Sequence, residues 1–128
     1  MSRSVLLIED NEQNRYLVTF LLERHGYEVR SVADGRRALE AVEDFVPSLI
    51  LLDIQLPKMD GYTVARALRK KDALRSVPMV AVTSYAMAGD REKALEAGCT
   101  GYIEKPINPE TFVDEVELIL SQSAGSDP

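Results

Sequence analysis

The 128-residue chain is the size of one ordinary domain, and its 45% hydrophobic and 28% charged residues suit a single packed core rather than a disordered segment. A net charge of −6, from 21 acidic against 15 basic residues, opposes binding to phosphate backbones, and a single cysteine excludes an internal disulfide. No apolar run approaches the roughly 20 residues that cross a bilayer, and the strand pattern that starts at Val5 leaves no room for a cleavable signal, so a cytoplasmic domain without membrane insertion is expected.

Val5-Leu6-Leu7-Ile8 is a continuous apolar run of strand formers, the pattern of a strand buried on both faces. Residues 14–25 follow at helical spacing through Leu17, Phe20, Leu21 and Arg24, with Gly26 as the stop. Residues 28–32 alternate as a weaker strand. Asp34-Gly35 then opens a helix through Ala38, Leu39 and Val42 that ends before Pro47. Leu49-Ile50-Leu51-Leu52 is the second buried run. Asp60-Gly61 opens a helix with Val64, Ala65 and Leu68 on one face. Met79-Val80-Ala81-Val82 is the third buried run, and residues 90–97 form a helix stopped by Gly98. Gly101–Glu104 is a short strand. In the last helix Phe112, Val116, Ile119 and Leu120 share a face, and residues 122–128 form a short polar tail. Five strand–helix units in succession predict one α/β domain over residues 1–121, with a parallel sheet covered by helices on both faces.

Open parallel sheets place their chemistry beyond the carboxyl ends of the strands. Glu9-Asp10 follow the first strand, Asp53 the third, Thr83-Ser84 the fourth and Lys105-Pro106 the fifth. The fold therefore gathers three carboxylates that are distant in sequence. Their mutual repulsion calls for protons or a hard cation, and an oxygen-only donor set favours Mg²⁺, Mn²⁺ or Ca²⁺ over zinc. Lys105 offers a point charge and Thr83 a hydroxyl to a phosphoryl oxygen. A carboxylate nucleophile, a cation, a lysine and a hydroxyl suit phosphoryl transfer, which needs positioning and charge neutralisation more than acid–base groups. Taken singly, Asp10 reads as a helix N-cap, Thr83 as a strand-end residue and Lys105 as a solvated lysine; the shared placement favours the site.

These stretches carry a resemblance. Val5 through Asn11, Leu51-Leu52-Asp53-Ile54-Gln55-Leu56-Pro57-Lys58-Met59-Asp60-Gly61, Val80-Ala81-Val82-Thr83-Ser84-Tyr85-Ala86 and Gly101-Tyr102-Ile103-Glu104-Lys105-Pro106 resemble the receiver domains of two-component response regulators, over about residues 3 to 121. Glu9 through Asn14 and Ala86-Met87-Ala88-Gly89-Asp90 look closest to stand-alone regulators of the DivK type and to receivers attached to hybrid histidine kinases. The resemblance implies a flavodoxin-like fold with a five-stranded parallel sheet of order 2-1-3-4-5 and five helices. It implies that Asp53 accepts a phosphoryl group from a phosphohistidine, that Asp10, Asp53 and the backbone carbonyl of Gln55 bind Mg²⁺ (Mn²⁺ as a substitute) with Glu9 acting through water, and that Thr83 and Lys105 hold phosphoryl oxygens. It implies a cis Lys105-Pro106 bond and Tyr102 as the switch aromatic answering Thr83.

The expected partners are a histidine kinase or histidine phosphotransfer protein at the Asp53 edge, and a downstream protein on the face of the fourth helix, fifth strand and fifth helix. A monomer or weak homodimer is expected. The expected role is a single-domain response regulator, a switch and not an enzyme; the alternative is a receiver excised from a hybrid histidine kinase or larger regulator that passes phosphate onward. A haloacid-dehalogenase-type enzyme would need an aspartate at position 55, where Gln55 stands. A flavodoxin-type carrier would need a Ser/Thr/Gly-rich phosphate loop where Glu9-Asp10 stand, and a module that never accepts phosphate would not need the full acidic set with Thr83 and Lys105. His25, Cys99, Met59 and Met87 read as surface, packing or loop residues. Tyr85 is bulky enough to hinder the hydrolytic water: Tyr85→Ala is expected to shorten the phosphorylated lifetime several-fold, read by intact mass against time.

Overall fold

The computed structural model describes residues 3–56, 59–84 and 89–125. The strands are β1 (Arg3–Ile8), β2 (Tyr27–Val32), β3 (Leu49–Asp53), β4 (Met79–Thr83) and β5 (Gly101–Glu104), and the helices are α1 (Glu12–Glu23), α2 (Gly35–Ala41), α3 (Gly61–Arg69), α4 (Asp90–Glu96) and α5 (Phe112–Gly125), with a 3₁₀ turn at Asp72–Leu74. All strand pairs are parallel, in the order β2-β1-β3-β4-β5. This is the expected receiver-type sheet.

The period-2 alternation of the strands divides the core. Leu6, Ile8, Ile50, Leu52, Met79 and Ala81 pack with α2, α3 and α4, through Ala38, Val64, Ala65, Leu68 and Ala94. On the opposite face Val5, Leu7, Leu49, Leu51, Val80 and Ile103 pack with α1 and α5, through Val18, Leu22, Phe112 and Val116. β3 and β4 are buried along their whole lengths, so the strands that carry Asp53 and Thr83 are the best-anchored part of the molecule.

Several local choices set the strand ends. Asn11, not Asp10, caps α1: its side chain accepts from the Asn14 N–H at 2.9 Å. Asp34 and Asp60 cap α2 and α3 in the same way, through the N–H groups of Arg37 and Thr63. Gly61 lets α3 start directly against the end of β3. Its N–H donates to the Ile54 carbonyl at 2.9 Å, and a Cβ there would collide with the Ile54 backbone. The Lys105–Pro106 peptide bond is cis, as expected.

Three details depart from the sequence reading. In α1 the buried residues are Val18, Leu21 and Leu22, while Phe20 is exposed and lies under the Arg24 guanidinium. An aromatic ring at helical spacing can satisfy itself on the surface by such a cation–π contact. β2 starts at Tyr27, one residue early, and the Tyr27 hydroxyl donates to Glu117 of α5. α5 continues to Gly125, past the boundary at residue 121 and into the stretch read as a polar tail. Ser121 and Gln122, both exposed, continue a helix that is already nucleated, since each added residue costs far less than the first turn.

At the end of the sheet away from the expected site, Arg69 serves as a clasp. Its guanidinium donates to the carbonyls of Gly98 (2.9 Å), Leu74 (2.6 Å) and Val77 (2.6 Å), joining α3, the 3₁₀ turn and the α4–β5 connection. Gly98, at φ 108°, leaves the space that the Arg69 stem fills. Arg69→Met keeps the stem but removes the donor to three carbonyls, of which Leu74 retains the Val77 N–H, and is expected to cost about 2–3 kcal/mol in urea unfolding; Arg66→Ala, an exposed change on the same helix, should cost under about 0.5 kcal/mol.

Candidate functional site

β1, β3, β4 and β5 end at one edge of the sheet, and the residues that follow them meet there. Glu9 and Asp53 are each only 3% exposed and Thr83 is fully buried, whereas Asp10 is exposed. One carboxylate oxygen from each of Glu9, Asp10 and Asp53 lies within 4.8 Å of the others. Lys105 spans the two buried acids: its Nζ is 3.1 Å from Glu9 Oε1 and 3.2 Å from Asp53 Oδ2.

The backbone fixes each member. The N–H of Glu9 donates to Val32 at 3.0 Å, and the carbonyl of Glu9 accepts from the Arg15 guanidinium of α1 at 2.9 Å. Glu9 in turn accepts from the Asn11 N–H, so Asn11 fastens both the helix start and the carboxylate before it. Because Asn11 takes the cap, Asp10 is not consumed by α1. Asp53 accepts at Oδ1 from the Gln55 N–H (2.9 Å) and at Oδ2 from Lys105. The N–H of Lys105 donates to the Thr83 carbonyl at 2.8 Å, which sets the lysine beside the end of β4. Tyr102, paired with Ala81, sits half-buried on the α3–α4 side of the sheet; burial first, then the charges of Glu104 and Asp90, raises its hydroxyl's pKa.

The electrostatics follow from burial. Burial, then the hydrogen bond and charge of Asp53, push the Glu9 carboxyl up to about 7, against the opposing pull of the Asn11 N–H and Lys105. Burial works against the ammonium of Lys105, but Asp53 and Glu9 outweigh it and hold its pKa above the ordinary value. Three carboxylates with one lysine leave an uncompensated negative site built only of oxygen donors. That donor set fits a hard divalent cation.

The sequence-derived residues Glu9, Asp10, Asp53 and Lys105 therefore meet, with Thr83 and the Gln55 backbone adjoining. Tyr85 and Met87 lie outside the described residues. Sequence reading missed Asn11 as the cap, which the Asn-before-helix signal could have given, and Arg15, whose contact with Glu9 leaves no short-range pattern.

The response regulator receiver domain profile matches residues 5–117, and the chain belongs to that family. It is similar to the polar-differentiation response regulator DivK of Brucella anthropi, 41% identical over 123 residues that make up 96% of this chain and 100% of that protein, and to DivK of Brucella ovis, 40% identical over the same extent. Among solved structures it resembles the chemotaxis response regulator CheY4 of Vibrio cholerae (TM-score 0.89, 28% identity, 93% of this chain and 99% of that one). It also resembles the receiver domain of a sensor histidine kinase from Pseudomonas aeruginosa, whose active-site cleft coordinates a magnesium ion (TM-score 0.83, 37% identity, 98% and 99%). The chain is thus a receiver domain of two-component signalling, a phosphoacceptor switch and not an enzyme, and membership implies a histidine kinase as partner. Among the described residues no helix is long and apolar enough to cross a membrane.

Lys105 carries the charge balance of the buried acids. Lys105→Met is expected to destabilise the metal-free protein by about 3 kcal/mol at pH 8, because two buried carboxylates lose their counter-charge. Glu9 titrates near 7 when folded instead of at its ordinary 4.5, so the fold favours the protonated form; that contribution is full below pH 4.5 and is lost as pH rises through 7. The cost of Lys105→Met should accordingly shrink toward pH 5, as urea unfolding in a chelator at the two pH values would read.

Proposed function

We propose that this domain carries a phosphoryl group on Asp53, received from a phosphohistidine, and reports it by a change of its protein-interaction face. The observation that carries the reading is the buried Lys105 bridging Asp53 and Glu9, with Asp10 beside them at the carboxyl edge of the sheet. A carboxylate fixed by the Gln55 N–H and Lys105 is held in one orientation and shielded from bulk water, as a nucleophile for phosphoryl transfer must be. An Asp53 oxygen bonds to phosphorus as the phosphorus–nitrogen bond of the donor breaks, and the imidazole leaves with the electron pair.

Asp10, Asp53 and the Gln55 backbone carbonyl would hold Mg²⁺ (Mn²⁺ as a substitute), with Glu9 acting through water. When bound, the ion supplies neutralisation of phosphoryl oxygens. Lys105 and Thr83 hold the remaining oxygens. The new charge draws Thr83, and Tyr102 moves into the space it leaves. The face of α4, β5 and α5 changes shape in consequence, a two-state element biased by a local charge. A histidine kinase or histidine phosphotransfer protein delivers the group in the cytoplasm, and a downstream protein reads the switch face. α4 and α5 each present an exposed leucine, Leu95 and Leu118, in keeping with a protein contact or weak homodimer there.

A second reading takes the chain as a receiver that passes phosphate onward within a relay, and the likeness to the sensor-kinase receiver favours it. Incubation with acetyl phosphate and Mg²⁺ should add one phosphate mass to the protein. The increment should vanish in Asp53→Asn and in a chelator; no increment with any phosphodonor would overturn the proposal. Loss of the label to a histidine phosphotransfer protein, faster than hydrolysis, would select the relay reading.

A further inference from the structure

Gln55 has a side-chain role separate from its backbone. Its Oε1 accepts two hydrogen bonds from Ser84, at 3.0 Å from the N–H and at 2.6 Å from the hydroxyl, across 29 residues of sequence. Its own N–H is bound to Asp53 Oδ1 at 2.9 Å. One residue thus holds the acceptor carboxylate through its backbone and the residue after Thr83 through its carboxamide. Ser84 is exposed and Gln55 half-buried, so this pair adds little to packing. Its effect is to occupy both donors of Ser84.

A phosphoryl group on Asp53 would add three strong acceptor oxygens beside that pair. Hydrogen bonds to a charged acceptor are stronger than those to a neutral amide oxygen, so the Ser84 donors are better satisfied by the phosphoryl oxygens than by Gln55. We infer that the Gln55 carboxamide is a latch: it holds Ser84, and with it the end of β4 that bears Thr83, in the unphosphorylated arrangement, and the phosphoryl group releases it by competing for the Ser84 donors. Gln55 is then a positioning residue that sets how readily the switch is thrown. The inference rests on the phosphoacceptor reading.

Two measurements on the full chain test it. In the protein free of metal and phosphoryl group, the Ser84 amide should exchange with deuterium severalfold faster in Gln55→Met than in wild type, because its acceptor is gone. With Mg²⁺ present, the phosphoryl analogue fluoroberyllate should bind Gln55→Met roughly three- to tenfold more tightly than wild type, since two modest hydrogen bonds no longer have to be broken. Gln55→Ser, too short to span to Ser84, should behave alike if the methionine variant fails to fold. A purely structural role would predict weaker analogue binding. Unchanged Ser84 exchange, or unchanged or weakened fluoroberyllate binding in both variants, overturns the latch. Absence of Mg²⁺-dependent fluoroberyllate binding to wild type overturns the phosphoacceptor reading itself, and the competition with it; the exchange measurement separates the two failures, because it reads the Gln55–Ser84 contact without any ligand.

Discussion

At the carboxyl edge of the sheet one ammonium group lies between two carboxylates that water scarcely reaches. Removing such charges from water is costly, and their attraction offsets the cost only when the geometry is close and the remaining lone pairs are occupied. Here Lys105 lies within hydrogen-bond range of Glu9 and Asp53, and backbone N–H groups of Asn11 and Gln55 take further carboxylate oxygens. The arrangement still falls short of neutrality, because Asp10 adds a third acid at the rim. That residual negative charge is the property that suits the site to a cation and then to a phosphoryl group.

The rest of the fold serves this edge. Complete burial of β3 and β4 removes freedom from the strands beneath Asp53 and Thr83. Gly61 brings α3 tight against the end of β3, and Asn11 caps α1 without drawing on Asp10. Far from the site, the Arg69 guanidinium closes the opposite end by serving three carbonyls. Anchoring is therefore strongest in the buried strands and at the far end, while Glu9, Asp10 and Lys105 stand on the connections just after the strands.

Much of this was legible in the sequence because the governing signals are local or topological. Four-residue apolar runs at Val5, Leu49 and Met79 mark strands buried on both faces, and alternation with helices determines which strand ends share an edge. Asp53, Glu9, Asp10, Thr83 and Lys105 followed from placement alone, while their roles came from the family pattern. Contacts made by a side chain that reaches across the fold were not legible. Arg15 on the Glu9 carbonyl, Arg69 on three carbonyls and Gln55 on Ser84 depend on rotamers and on tertiary distance, which no spacing rule encodes. Phe20 shows the complementary error: helical spacing marked it for the interior, and Arg24 made the surface an adequate place for its ring.

The split of the core into two faces has a further meaning. The sheet separates the packing of α1 and α5 from that of α2, α3 and α4, and the buried apolar side chains of the described residues fall into two clusters accordingly. Changes on one side are insulated from the other by a layer of backbone. Side chains that α1 packs on the sheet can thus change without disturbing the packing of α3 and α4, where Tyr102 sits. The proposed interaction face straddles this divide, because α4 rests on one cluster and α5 on the other, so a change of packing on either side of the sheet reaches one edge of it.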